Sequence, residues 1–240
     1  MRPTLACVSL RDAWEGEATN WSRWARTPGH DHLAERLNIP AFLELLPRPG
    51  RRTLDLGCGE GRLGRALANR GHRVVGIDGS RTLAALAEEG GGYEEVRIAD
   101  AAALPFEDNA FDVVVTFMSV QDFDDPDTAI REAARVLEPG GVLILAVVHP
   151  LSSWHIAPEG ATYFERFRYE ERMDRDGLPM TFHSVHLPFS DLVSALLAAG
   201  LTLEAVAEPR FHADALPPRP DAAEVARRPY FLHLRGRKGK

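Results

Sequence analysis

The segment Thr53-Leu54-Asp55-Leu56-Gly57-Cys58-Gly59-Glu60-Gly61-Arg62 constrains the fold of this chain more than any other. A short apolar run ends in alternating glycines, and a helical pattern begins at Arg62. Glycine adopts positive φ without a Cβ penalty, so the chain can turn sharply there and a ligand can lie against bare backbone. The start of the following helix offers unpaired N–H groups and a partial positive charge, a setting that suits an anionic group.

The rest of the chain extends this unit. Residues 52–56 read as a strand, 62–70 as a helix closed by Gly71, 73–77 as a strand, 80–89 as a helix, and 95–98 as a third strand. Residues 111–117 form a continuous apolar run, as expected of a strand buried on both faces. A helix over 127–137, with Pro126 at its start, gives way at Glu138-Pro139-Gly140-Gly141 to a fifth strand over 142–148. Strand–helix alternation implies parallel pairing with right-handed crossovers, hence a doubly wound α/β sheet. Four stretches follow: a helical cover over 1–49, broken near Thr27-Pro28-Gly29 and kinked or restarted at Pro40; a core over 50–150; an insertion over 151–187 with no clear helix; and a C-terminal stretch, 188–240. The last holds a helix over 190–199 and strands over 203–206 and 229–234.

Three acids at strand ends define a ligand. Asp55 stands beside the glycine turn, where it repels pyrophosphate and attracts an ammonium group, so an amino-acid moiety fits with its carboxylate on the backbone N–H groups. Asp78 closes Val74-Val75-Gly76-Ile77-Asp78 and can accept both hydrogen bonds of a ribose diol. Asp100 follows the third strand and can accept from an adenine amino group, with the backbone of Ala101 completing recognition. Gly59-x-Gly61-x-x-Gly64 also satisfies the dinucleotide fingerprint, but Asp55 and Asp100 argue against a nicotinamide or flavin.

The ordered set Leu54-Asp55-Leu56-Gly57-Cys58-Gly59-Glu60-Gly61, Gly76-Ile77-Asp78, Asp100-Ala101, Phe106-Glu107-Asp108-Asn109-Ala110-Phe111-Asp112 and Pro139-Gly140-Gly141 resembles the class I S-adenosylmethionine-dependent methyltransferases. The resemblance runs through residues 50–150 and more weakly through 186–201 and Glu208-Pro209. It implies a Rossmann-like, mostly parallel sheet of about seven strands, the last antiparallel, and S-adenosylmethionine as cofactor, with S-adenosylhomocysteine as product. The cofactor-binding set it implies is Asp55, Gly57, Cys58, Gly59, Gly61, Asp78, Gly79, Asp100 and Ala101, with Phe117 and Met118 lining the adenine and methyl region. Trp24, with Trp21, Arg26 and His30, reads either as packing on the sheet or as a lid over the cofactor. Nothing resembles an Asn-Pro-Pro-Tyr motif, and no carboxylate–Asn pair follows the fifth strand, so the small-molecule branch is expected.

The expected reaction is methyl transfer to an oxygen or nitrogen of a small molecule. His149, at the end of the fifth strand, and His186, before a helix start, are the candidate catalytic residues; for each, a structural histidine bonded to backbone is the alternative. Asp122, Asp124, Asp125 and Asp127 read as capping and charging the helix at Pro126, so no metal is expected. Trp154, Tyr163, Phe164, Phe167, Tyr169 and Phe182 form either the insertion's own core or an apolar substrate pocket. Two other function classes stay open: an RNA- or protein-modifying methyltransferase, and a non-methylating binding module or cyclase on the same fold.

The net charge of −7 lowers the expectation of a nucleic-acid partner. Two cysteines, Cys7 and Cys58, build no disulfide framework. No secretory leader and no apolar run near the ~18 residues of a membrane span are evident, so a cytoplasmic location is expected.

Overall fold

The computed structural model describes residues 8–210 and 227–240; Cys7 lies outside them. Strands β1 (Thr53–Leu56), β2 (Val74–Asp78), β3 (Glu95–Ile98), β4 (Phe111–Phe117), β5 (Leu137–Val148), β8 (Leu201–Ala207) and β9 (Phe231–Lys238) form one sheet in the order β3-β2-β1-β4-β5-β9-β8. The pairs among β1 to β5 are parallel, and β9 runs antiparallel to both β5 and β8. The expected sheet is therefore present. Its reversal lies at β1, where the order turns from β2-β3 to β4-β5, and such a switch point is where open α/β sheets bind ligands.

Period-two side-chain alternation explains why both faces are covered. Leu54, Leu56, Val75, Ile77, Val114, Leu143 and Leu145 pack with α5 (Pro126–Val136) and α7 (Phe189–Ala198) through Ile130, Leu192 and Leu196. Val74, Val113, Val115, Val142 and Ile144 point the other way, onto Leu63 and Leu67 of α3 (Arg62–Asn69) and Phe42 of α2 (Ile39–Glu44). Cutting any of these fully buried leucines to alanine costs about 2–5 kcal/mol. On the β1–β2–β3 side, α4 (Arg81–Gly90) is capped by Ser80, whose hydroxyl accepts from the Leu83 N–H.

Three elements depart from the sequence reading. β5 begins five residues early: Leu137 already pairs with Phe111, the register then slips, and regular pairing resumes at Val113 and Val142. Before α2 the chain runs as a π-helical turn, Ala34–Asn38, with the Ile39 N–H bonded to the Ala34 carbonyl. Pro40 has no N–H to continue an α-helical ladder, so the restart expected there takes this wider form.

The third departure is the insertion. After a short helix α6 (Pro150–Trp154) it forms a two-stranded hairpin, β6 (Phe167–Arg175) with β7 (Leu178–His186). Its two-residue turn, Asp176-Gly177, has φ of 52° and 77°. Positive φ at both central residues is the twist that matches paired strands. Helix α1 (Leu10–Arg26) is wedged between this hairpin and α4. The Trp14 indole donates to the His183 carbonyl at 2.9 Å, and Glu15 accepts from the Thr82 hydroxyl at 2.7 Å. Among the described residues no helix is long and apolar enough to cross a membrane.

Candidate functional site

One cavity of about 240 Å³ opens beyond the carboxyl ends of β1, β2 and β4, roofed by α1 and walled by the hairpin. Asp55, Gly57, Cys58, Gly59, Asp78, Gly79, Asp100, Ala101, Phe117, Met118 and Trp24 all line it. Gly61 does not. It caps α3 at φ 91° and so aims the helix start at the turn. Gly64, the third glycine of the dinucleotide-like spacing, serves packing: a Cβ there would lie 2.0 Å from the Tyr93 ring.

The turn between β1 and α3 is held by its neighbours. Gly57 and Gly59 have φ of 75° and 58°, and the N–H groups of Gly57 and Cys58 both donate to the Ile77 carbonyl. Gly59 donates to Asp78 Oδ2 at 2.7 Å and Ser80 to Asp78 Oδ1 at 2.8 Å, so each oxygen of Asp78 keeps a lone pair for a diol. Burial pushes the Asp78 carboxyl up to about 6 despite these bonds. Asp55 is 1% exposed and accepts only from the Tyr93 hydroxyl, at 2.8 Å. Burial raises it to about 7, the Tyr93 bond opposes that, and repulsion from Asp78 adds to it. A buried carboxylate of this kind is stabilised by a ligand cation.

Asp100 is already engaged. Its Oδ1 accepts from the Ala102 N–H and its Oδ2 pairs with Arg11 of α1. Both side chains are nearly half exposed, and such pairs contribute little, so a ligand amino group can take Arg11's place at small cost. Met118, just past β4, has φ of 58°, an uncommon state for a non-glycine residue. The turn is fixed by Ser119, whose hydroxyl donates to the Leu56 carbonyl and meets the Thr116 hydroxyl, each at 2.7 Å.

The leading helix supplies more than Trp24. Trp21 lies 3.7 Å from where a Gly59 Cβ would be, directly above the turn. Trp14, Trp21 and Trp24 each meet Phe182 of β7 edge to face, at 6.4, 6.0 and 6.2 Å between ring centroids. Packing and roofing are therefore the same contacts. Trp24 is 2% exposed, while Arg26 faces Glu60, which also pairs with Arg65 at 2.7 Å.

The two histidines expected at the reaction centre do not line the cavity. His149 caps α6: its Nδ1 accepts from the Leu151 N–H at 3.1 Å and its Nε2 lies 3.0 Å from Glu208. His186 is fully buried within the insertion, between the Ser153 hydroxyl (2.7 Å) and the Tyr163 carbonyl (2.9 Å), and stacks on Phe167. Burial holds both rings below the usual histidine range. Their position in the chain suggested the site, but local caps and hydrogen bonds claim both rings.

The acidic run divides. Asp125 caps α5 through the Thr128 N–H, Asp127 pairs with Arg166, and Asp124 accepts from the Leu10 N–H and pairs with Arg168. Asp122 instead turns into the cavity and accepts from the Ser184 hydroxyl at 2.6 Å. Sequence reasoning missed it, together with Glu171, Met173 and Ser184, which line the same wall as Tyr169 and Phe182, two of the aromatics read from the sequence as insertion core or pocket. The signal was present: 167–173 alternates inward Phe, Tyr, Glu and Met with exposed charge, ahead of an Asp-Gly turn. Among the described residues no three His, Cys, Asp or Glu side chains gather as a metal site.

A family model described as a methyltransferase domain matches residues 54–145. The malonyl-[acyl-carrier protein] O-methyltransferase of Enterobacter lignolyticus is 31% identical over 178 residues, 70% of each chain. The ubiquinone biosynthesis O-methyltransferase of Ralstonia nicotianae is 32% identical over 138 residues, 55% of this chain and 58% of that one. Such matches span only 30% to 70% of the relatives' own lengths. A crystal structure of an S-adenosylmethionine-dependent methyltransferase from Mesorhizobium loti superposes with a TM-score of 0.65 at 25% identity, covering 83% of this chain and 96% of that one. With the Enterobacter relative at 31% identity over 70% of each chain, the chain belongs to the class I S-adenosylmethionine-dependent methyltransferase family.

Proposed function

We propose that this protein transfers a methyl group from S-adenosylmethionine to a nucleophilic oxygen or nitrogen of a small molecule. The observation that carries the reading is the convergence of Asp55, Asp78 and Asp100, from three consecutive parallel strands, on one cavity behind a glycine turn. Asp55 and the turn at Gly57, Cys58 and Gly59 would hold the amino-acid moiety, with Gly61 setting the helix behind them. Asp78 and Gly79 would hold the ribose, and Asp100 with Ala101 the adenine. Phe117 and Met118 would flank the methyl, under Trp21 and Trp24.

Bound S-adenosylmethionine would supply a methyl group on a good leaving group. The protein's own task is then to align the acceptor and to exclude water, and alignment can contribute about 7–11 kcal/mol. The closed roof of tryptophans supports that role. That relatives include a ubiquinone biosynthesis O-methyltransferase and a malonyl-[acyl-carrier protein] O-methyltransferase supports a metabolite acceptor over nucleic acid.

Calorimetry with S-adenosylhomocysteine tests the reading. The wild-type protein should bind it, and Asp78→Ala should weaken binding at least tenfold. Uptake of NAD or FAD in place of the methyl donor and its product would overturn it.

A further inference from the structure

Beyond the strand-end acids the cavity carries two carboxylates that form no ion pair among the described residues. Among the described residues Asp122 accepts only the Ser184 hydroxyl. Glu171 makes no hydrogen bond among the described residues, and the charge that bears on it is Arg175. That guanidinium is committed elsewhere: it lies 5.1 Å over the Trp24 ring and donates to the His30 carbonyl. The same wall is aromatic, with Trp14, Tyr169 and Phe182. Carboxylates and aromatic faces both attract a cation and repel an anion.

An independent feature of the cavity also asks for a ligand. Asn38 is fully buried and lines it, and its Oδ1 is occupied by His233 Nε2 at 2.6 Å. Its Nδ2 has no hydrogen-bond partner among the described residues. Leaving a buried amide donor unpaired is costly, and a ligand oxygen would remove that cost.

We propose that the methyl acceptor is an amine that also carries a hydrogen-bond-accepting oxygen, its nitrogen lying against Asp122 and Glu171 and its oxygen receiving the Asn38 amide. The inference rests on the methyl-transfer reading and narrows its acceptor. An arriving ammonium gives one proton to Asp122. The neutral nitrogen then forms the nitrogen–methyl bond as the methyl–sulfur bond breaks, with the electron pair of that bond staying on sulfur. The product is a secondary ammonium, and Asp122 releases its proton to solvent. Burial raises the Asp122 carboxyl well above the usual range and repulsion from Asp78 adds to the shift, so Asp122 is suited to hold that proton. A phenolate or carboxylate acceptor would instead bring a third negative charge to this wall.

The test uses protein saturated with S-adenosylhomocysteine and three probes with the same ring and hydroxyl: tyramine, 3-(4-hydroxyphenyl)propan-1-ol and 3-(4-hydroxyphenyl)propionate. Tyramine should bind at least tenfold more tightly than the alcohol, and the propionate least. Asp122→Asn and Glu171→Gln should each erase most of that preference, and retained S-adenosylhomocysteine binding shows that each variant is folded. Equal or tighter binding of the alcohol or the propionate, or binding of none of the three, overturns the inference even if both variants fail to fold. Failure of the wild-type protein to bind S-adenosylhomocysteine would instead overturn the methyl-transfer reading.

Discussion

The affinity for S-adenosylhomocysteine should fall as pH falls, because Asp55 must be ionised to receive an ammonium and burial raises it to about 7. One unit above that value about nine-tenths of the Asp55 carboxyls are charged, and one unit below about one-tenth, so affinity should drop about tenfold from about pH 8 to about pH 6. Asp78, raised to about 6, is half ionised at the lower end and contributes a further factor of about two. Stability of the unliganded protein must run the other way. Both carboxyls hold protons more tightly folded than unfolded, so their contribution is fully present below about pH 4 and is lost as pH rises through 6 and then 7. Isothermal titration in two buffers of different ionisation enthalpy measures both the affinity and the protons released. Tyr93→Phe sharpens the test: without the Tyr93 hydrogen bond to Asp55, the midpoint should move up by roughly one unit. An affinity that is flat across this range, or that rises in acid, refutes the assignment of Asp55 to the ammonium group.

Three further outcomes are expected. Gly64→Ala should destabilise the protein by about 1–3 kcal/mol in urea denaturation, since the new methyl meets the Tyr93 ring; an unchanged midpoint would show that the ring moves aside freely. His149→Ala should cost about 1 kcal/mol of stability through loss of the α6 cap and leave S-adenosylhomocysteine affinity unaltered; an affinity loss above fivefold contradicts its placement outside the cavity. Trp24→Ala should lower stability by about 3–5 kcal/mol, read by thermal unfolding, and a loss under 1 kcal/mol would argue that the roof is not packed as described.

The legible parts of the molecule are those whose cause is local. Residues 53–62 show their turn through glycines that take positive φ, and the strands at 74–78 and 111–117 show themselves as apolar runs between punctuating residues. The strand-end acids follow from that frame, because a parallel sheet with a switch point puts Asp55, Asp78 and Asp100 on one edge. The hairpin wall of the cavity was harder, since it depends on which residues the insertion brings back over the sheet. Asp122 looks like its neighbours in the acidic run, and only docking of Ser184, 62 positions later, turns it inward. His149 and His186 lie outside the cavity lining for the converse reason. Position along the chain brought them near the right end of the sheet, but a helix cap and a buried serine set where the rings point.

The alternation of β6 has a consequence for how such an enzyme changes over time. Every second side chain from Phe167 to Arg175 faces inward, while those between point to solvent, and none of them belongs to the sheet that carries the glycine turn. Under the proposed methyl transfer, selectivity can therefore drift one inward position at a time, at 169, 171 or 173, with the residues proposed to hold the donor left intact. On the proposed function, a library confined to those sites and to 182 and 184 of the facing strand would change acceptor preference while S-adenosylhomocysteine affinity stays constant.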